Sequence, residues 1–250
     1  VDAGFGIRVT TKRLAAIGKK IESIDAIVLT HEHGDHVKGV ASIAKKHRIP
    51  VYATRGTLDG ISLDPEEIRC VEIRNDASFQ IGELEIHSAR TSHDALDPCC
   101  FVVEGRDGTR VGVATDLGFV DPHVIRHLSD CDGLFFEANH DIDLLRRGSY
   151  PWVLKRRILS RVGHLSNDDS MAALERLLCD RLKILTLIHL SRENNHESIV
   201  REMAFEMLHK AGATIEPRIS RQDQPAPLVE ISRAPVPVER RAPFRQLTLF

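Results

Sequence analysis

Between Thr30 and Val37 the chain reads His31-Glu32-His33-Gly34-Asp35-His36, which places three imidazoles beside the Asp35 carboxylate in six residues. Imidazole and carboxylate are the donors that zinc, manganese or iron accept, and a centre with an open position lowers the pKa of water toward neutrality. An exposed histidine cluster or a purification remnant would also be rich in histidine. Neither accounts for the carboxylate, the glycine and the position directly after an apolar run. The spacing predicts that His31 and His33 face one ion, while Asp35 and His36, at a helix start, face a second.

The elements that must hold this cluster are legible around it. Residues 24–30 form a short apolar run suited to a buried strand, and Val37, Val40, Ala41 and Ala44 follow at helical spacing. The cluster therefore sits at a strand-to-helix turn. Further strands are expected at 50–53, 68–73, 79–81, 84–87, 101–104, 111–114, 134–137 and 182–188, with hairpin turns at Gly82 and at Arg106-Asp107-Gly108. Helices are expected at 12–20, 122–128, 152–161, 167–178 and 197–210, the last stopped by Gly212. Hairpins come early and strand-helix alternation later, so two sheets covered by outer helices are expected in one domain over 1–220. Residues 221–250 carry Pro225, Pro227, Pro235, Pro237 and Pro243 among arginines, a composition that favours an extended tail.

Composition narrows the setting. A net charge of −2 supplies no global attraction for nucleic acid, so any such binding needs a local basic patch. No apolar run approaches the roughly 20 residues of a membrane span. The five cysteines are odd in number and include the vicinal pair Cys99-Cys100, which fits reduced thiols, and with no export signal in view a cytoplasmic location is expected. No separate nucleophile is required, so Cys99 and Cys100 are read as buried or loop thiols.

The pattern Thr30-His31-x-His33-x-Asp35-His36 resembles the signature of the metallo-β-lactamase superfamily, whose α/β fold has four layers, αββα. Later motifs occur in the family's order: His93 in Thr91-Ser92-His93-Asp94, Asp116 in Thr115-Asp116-Leu117-Gly118, and His189 in Ile188-His189-Leu190-Ser191. Taken alone, His93 or His189 reads as a hydrogen-bonded structural histidine. The resemblance assigns His31, His33 and His93 to one divalent metal ion, Asp35, His36 and His189 to the other, and Asp116 to both, with zinc and manganese suiting the donors alike.

Within the superfamily, the stretches 49–57, 136–141, Tyr150-Pro151-Trp152, Gly163-His164-Leu165-Ser166-Asn167 and 189–195 resemble the YycJ/WalJ-type members, regarded as DNA exonucleases acting from the 5′ end. The likeness covers about 1–220. It departs in two places: the family's first strands and their Gly/Ser-rich loop do not precede Val1, which would leave a sheet face open, and Cys100 stands where glycine is usual. Glu137 and His164 resemble the glutamate and glycine-histidine pair of RNase Z-type nucleases, which implies that they, with Asp35, are catalytic. A carboxylate-oriented histidine can protonate an oxygen leaving group; the plainer alternative is that His164 precedes a helix capped by Ser166 and Asn167. Ser191, Arg192 and Asn194 are candidates to hold phosphate, although Arg192 also reads as a solvated cation.

The tail ends in Gln246-Leu247-Thr248-Leu249-Phe250, similar to the peptide by which bacterial proteins bind the sliding clamp, with Gln246, Leu247, Leu249 and Phe250 as anchors. A tail folded onto its own domain, or a chance match, is the alternative. The leading expectation is a dinuclear-metal phosphodiesterase acting on DNA in repair or replication. An RNA-processing or small-ester hydrolase, and a non-catalytic clamp-binding module, are the competing readings.

Overall fold

The computed structural model describes residues 1–231, so the clamp-peptide residues Gln246, Leu247, Leu249 and Phe250 lie outside the described residues. In chain order come α1 (Ile7–Ala16), a 3-10 turn at Ile21–Ser23, β1 (Ile27–Val28), α2 (Gly34–Val37), α3 (Val40–His47), β2 (Val51–Thr54) and α4 (Arg55–Gly60). Then follow β3 (Cys70–Ile73), β4 (Ser78–Ile81), β5 (Leu84–Arg90), β6 (Cys99–Glu104), β7 (Arg110–Ala114), α5 (Pro122–Leu128) and β8 (Gly133–Glu137). The described chain closes with α6 (Ile142–Arg147), α7 (Trp152–Ile158), α8 (Asn167–Leu177), β9 (Ile184–Ile188), α9 (Glu197–Lys210) and β10 (Pro217–Ile219).

Two sheets result. One is parallel, in the order β1-β2-β3; the other runs β10-β9-β8-β7-β6-β5-β4, antiparallel from β4 to β7 and parallel from β7 to β10. Val28, Ile73 and Tyr52 of the first sheet pack against Phe79, Ile86, Cys99 and Phe101 of the second, forming the central core. On the outer face of the first sheet lie Val40, Ile43 and Ala44 of α3, with Ile7 and Leu14 of α1. The second sheet is covered by Val124 and Leu128 of α5, Leu174 and Leu177 of α8, and Val200 and Ala204 of α9. The layers are thus helix, sheet, sheet, helix, as the αββα expectation required.

Several boundaries differ from the sequence reading for local reasons. The first helix spans Ile7–Ala16 rather than 12–20, because Gly18 takes a left-handed φ of 70° and ends it. The short helices α4 and α6 were not expected. In α4, Thr54 caps the helix by accepting from the Thr57 N–H, while Gly56 and Gly60 hide the pattern by lowering its propensity. Strand β10 begins with Pro217, which is tolerated because β10 is an edge strand. The Cys99 and Cys100 side chains lie buried on β6, and burial pushes the Cys100 thiol up to about 12.

Candidate metal centre

Apart from Asp35 and His36, which lie in the short helix α2, every candidate ligand lies just past the end of an element or in a loop joining two. β1 ends at Val28 and delivers His31 and His33 before α2 begins at Gly34, so Asp35 and His36 fall in that helix's first turn. β7 ends at Ala114 and β9 at Ile188, which places Asp116 and His189 immediately beyond strand ends of the second sheet. Both residues adopt a left-handed backbone, with φ of 57° and 60°, a conformation that costs a non-glycine residue on the order of 1 kcal/mol and re-aims its side chain. The Asn139 side-chain amide helps to hold this bend by donating to the His189 carbonyl at 2.9 Å. His93 follows β5, and His164 precedes α8.

These loops converge. His31 Nε2 and His93 Nε2 each lie 3.1 Å from His33 Nδ1. Three nitrogens bound to one tetrahedral ion at about 2.0 Å stand roughly 3.3 Å apart, so the tripod has the dimensions of a ligand set. A second group is formed by Asp35 Oδ2, 3.6 Å from His36 Nε2 and 3.5 Å from His189 Nε2. Asp116 lies between the groups: Oδ1 is 3.6 Å from His93 Nε2, and Oδ2 is 3.2 Å from His36 Nε2. The buried His36 Nε2 has no hydrogen-bond partner among the described residues, as expected of an atom whose lone pair serves a cation.

The outer nitrogens are held by oxygen. Thr30 Oγ1 contacts His31 Nδ1 at 3.0 Å, the Gly163 carbonyl contacts His93 Nδ1 at 3.0 Å, Asp2 Oδ2 contacts His36 Nδ1 at 2.8 Å, and Glu137 Oε1 contacts His189 Nδ1 at 3.2 Å. Each partner fixes a ring and directs the opposite nitrogen inward, as carboxylate and carbonyl groups behind metal-binding histidines do. Asp2 was not expected from the sequence. It also accepts from the Thr30 backbone N–H at 2.8 Å and its hydroxyl at 2.9 Å, tying the N-terminal segment to the loop after β1. A lone acid next to Ala3-Gly4, far along the chain from His36, carries no spacing signal.

Electrostatics agree with a cation site. Burial, reinforced by His36, His93 and His33, drives His31 well below its ordinary pKa, leaving its inward nitrogen neutral and able to ligate. Burial likewise lowers His93. Burial opposes protonation of His36, but the hydrogen bond to Asp2 and the nearby Asp35 carboxylate prevail and raise it to about 10. The His189 and His36 rings beside Asp35 hold its carboxyl well below the usual carboxylate range. In the cation-free protein, protons on imidazole offset buried carboxylate charge that divalent cations would otherwise offset.

The structure also brings Glu137 and His164 together, with Glu137 Oε1 2.8 Å from His164 Nδ1. Glu137 is fully buried and its other oxygen accepts the Leu117 N–H at 2.6 Å. Burial would raise its pKa, but the hydrogen bonds from His164 and His189 lower it, so it remains an anion shared by two rings. A cavity of about 620 Å³ opens over the centre, lined by His33, Asp35, Asp116, His164 and His189 together with Tyr150 and Arg157. Ser191 and Arg192 also line it. Asn194 does not join them: it is 1% exposed, and its backbone N–H donates to Ser191 Oγ at 3.1 Å.

Comparisons with known proteins agree with this architecture. A family model described as "Beta-lactamase superfamily domain" matches residues 1–190. The chain is 36% identical over 242 residues to "Exodeoxyribonuclease WalJ" of Streptococcus pneumoniae, covering 92% of this chain and 89% of that protein. It is 33% identical to "Exodeoxyribonuclease YycJ" of Bacillus anthracis, covering 85% and 81% of the two chains. Among solved structures, the metallo-β-lactamase fold protein YhfI of Bacillus subtilis superposes with a TM-score of 0.64 at 16% identity, covering 88% of this chain and 82% of that one. The short form of human tRNase Z superposes at 0.59 with 16% identity, covering 93% and 87%. The chain therefore belongs to the metallo-β-lactamase superfamily, in the group that includes the WalJ and YycJ exodeoxyribonucleases.

Proposed function

We propose that this protein hydrolyses DNA phosphodiesters from the 5′ end, with His31, His33 and His93 holding one divalent cation, Asp35, His36 and His189 a second, and Asp116 both. The observation that carries the reading is the pairing of two donor groups, each with its atoms within 4.8 Å of one another, with the Glu137–His164 couple at the same cavity. Zinc or manganese, when bound, supplies Lewis acidity toward the phosphodiester and acidifies water at the reaction centre. Ser191 Oγ and the Arg192 guanidinium offer neutral and charge-assisted hydrogen bonds to substrate phosphate. His164, oriented through Nδ1 by Glu137, presents Nε2 to the leaving-group oxygen and delivers its proton as the bond breaks. Names of the relatives support DNA as the substrate.

A cytoplasmic role in DNA repair or replication follows from the same reading. No helix among the described residues is long and apolar enough to cross a membrane. Gln246, Leu247, Leu249 and Phe250 would dock on the sliding clamp and recruit the enzyme to DNA. Removing 246–250 is expected to abolish clamp binding in surface plasmon resonance while leaving cleavage of short DNA intact; undiminished clamp binding refutes the docking role.

The function is tested with 5′- and 3′-labelled DNA and matched RNA in the presence of Mn²⁺ or Zn²⁺. The expected result is progressive shortening of DNA from its 5′ end. Preference for RNA moves the assignment to an RNA-processing enzyme, and no cleavage of either polymer moves it to small esters.

A further inference from the structure

Helix α7 has two unlike sides. Leu154, Arg157 and Ile158 line the cavity over the metal centre, and Tyr150 joins them from the preceding loop. Outside the cavity, Trp152 is 64% exposed and Val153 80%, while Arg156 stands one helical turn from Trp152 on the same face. From Arg146 to Arg161 the chain carries five arginines and one lysine with no carboxylate, although the whole chain has a net charge of −2. Four of these cations are engaged: Arg157 by Asp94, Arg147 by Asp143, Arg161 over the Phe119 ring, and Lys155 by two carbonyls. Arg146 and Arg156 have no ion-pair partner among the described residues. Lys155 is buried and donates from Nζ to the carbonyls of Arg146 at 2.8 Å and Gly148 at 2.6 Å, which locks the arginine-bearing end of α6 to α7.

An exposed indole sharing a helix face with the unpaired Arg156, with the unpaired Arg146 on the adjoining helix that Lys155 ties to α7, calls for an occupant that is both flat and anionic. An acidic peptide provides the charge without the face, and an anionic lipid surface would call for a broader apolar area than one indole and one valine. An unpaired DNA strand supplies bases that stack on aromatic rings and phosphates that pair with arginine. Trp152 lies about 9 Å along the helix from Ile158, the length of roughly two to three stacked nucleotides. We propose that the outward face of α7 is a track for the unpaired strand outside the cavity, with a base stacked on Trp152 and phosphates held by Arg146 and Arg156. This rests on the reading of the protein as a DNA nuclease.

Trp152 is the single tryptophan of the chain, so its emission reports on the track directly. Metal-loaded protein is titrated with a nuclease-resistant phosphorothioate oligothymidine, following indole emission and the anisotropy of a labelled copy together. Emission is expected to be quenched in parallel with binding, and an abasic strand to bind without quenching. Trp152→Ala is expected to weaken binding about tenfold with an unchanged melting temperature, and Trp152→Phe to recover most of it. Arg146→Ala with Arg156→Ala is expected to weaken binding and lower its salt dependence. Binding without quenching, equal affinity of Trp152→Ala, quenching by anionic vesicles but not by DNA, or no DNA binding at all overturns the track. Wild-type protein that is quenched by DNA yet cuts none overturns the nuclease reading and leaves the track standing.

Discussion

Asp2 and His164 show how two carboxylate–histidine contacts divide the work of the site. Asp2 fixes His36 through Nδ1, so Asp2→Asn, which retains the shape but loses the anion, is expected to weaken cation binding at the Asp35–His36–His189 group by about 10- to 100-fold. Calorimetric titration of metal-stripped protein checks this; two unaltered binding steps would contradict it. His164 is assigned to the proton rather than to the metal, so His164→Ala is expected to lower kcat by roughly 10²- to 10⁴-fold with both cations still bound. Loss of a cation in that variant would instead make His164 a ligand. The first four metal candidates were legible because they crowd into one turn, and His93, Asp116 and His189 because short motifs surround them. Two partners of their outer nitrogens were not: Asp2 and the Gly163 carbonyl are contributed by tertiary packing, which leaves no local period in the sequence.

At the scale of elements, strands were easier to read than short helices. The strands of the parallel region are apolar on both faces and stand out as runs such as Leu134–Phe136, whereas α6 is a single turn and a half ending in Arg146 and Arg147. Nothing in the sequence singles out Lys155 within the helix expected at 152–161. Its burial against two carbonyls makes it the joint between α6 and α7. Lys155→Met is therefore expected to cost about 1–3 kcal/mol and to raise amide exchange across 142–158. Exchange unchanged in that segment would show that the joint is held by other contacts.

For the molecule as a whole, the four-layer order followed from early hairpins and later alternation, while the assembly of one centre from both sheets did not, because it depends on which loop ends meet. Stability should also depend on pH through groups away from the centre. Burial, aided by His87 and His123, lowers His127 to about 4 from its ordinary 6.5. Its folded pKa lies below the unfolded value, so the unfolded state binds more protons between these limits and stability declines as pH falls from about 6.5 to 4. In urea unfolding of metal-stripped protein, wild type should lose stability relative to His127→Gln as pH falls from about 6.5 to 4; a difference that does not change with pH contradicts the shift. The central claim concerns two cations acting together. Titrating metal-stripped protein with Mn²⁺ while following ions bound per chain and nucleotide release from 5′-labelled DNA should show two ions bound, cleavage rising with the second, and neither outcome in His33→Ala. Full loading with intact DNA, or cleavage that survives without metal, would contradict the account.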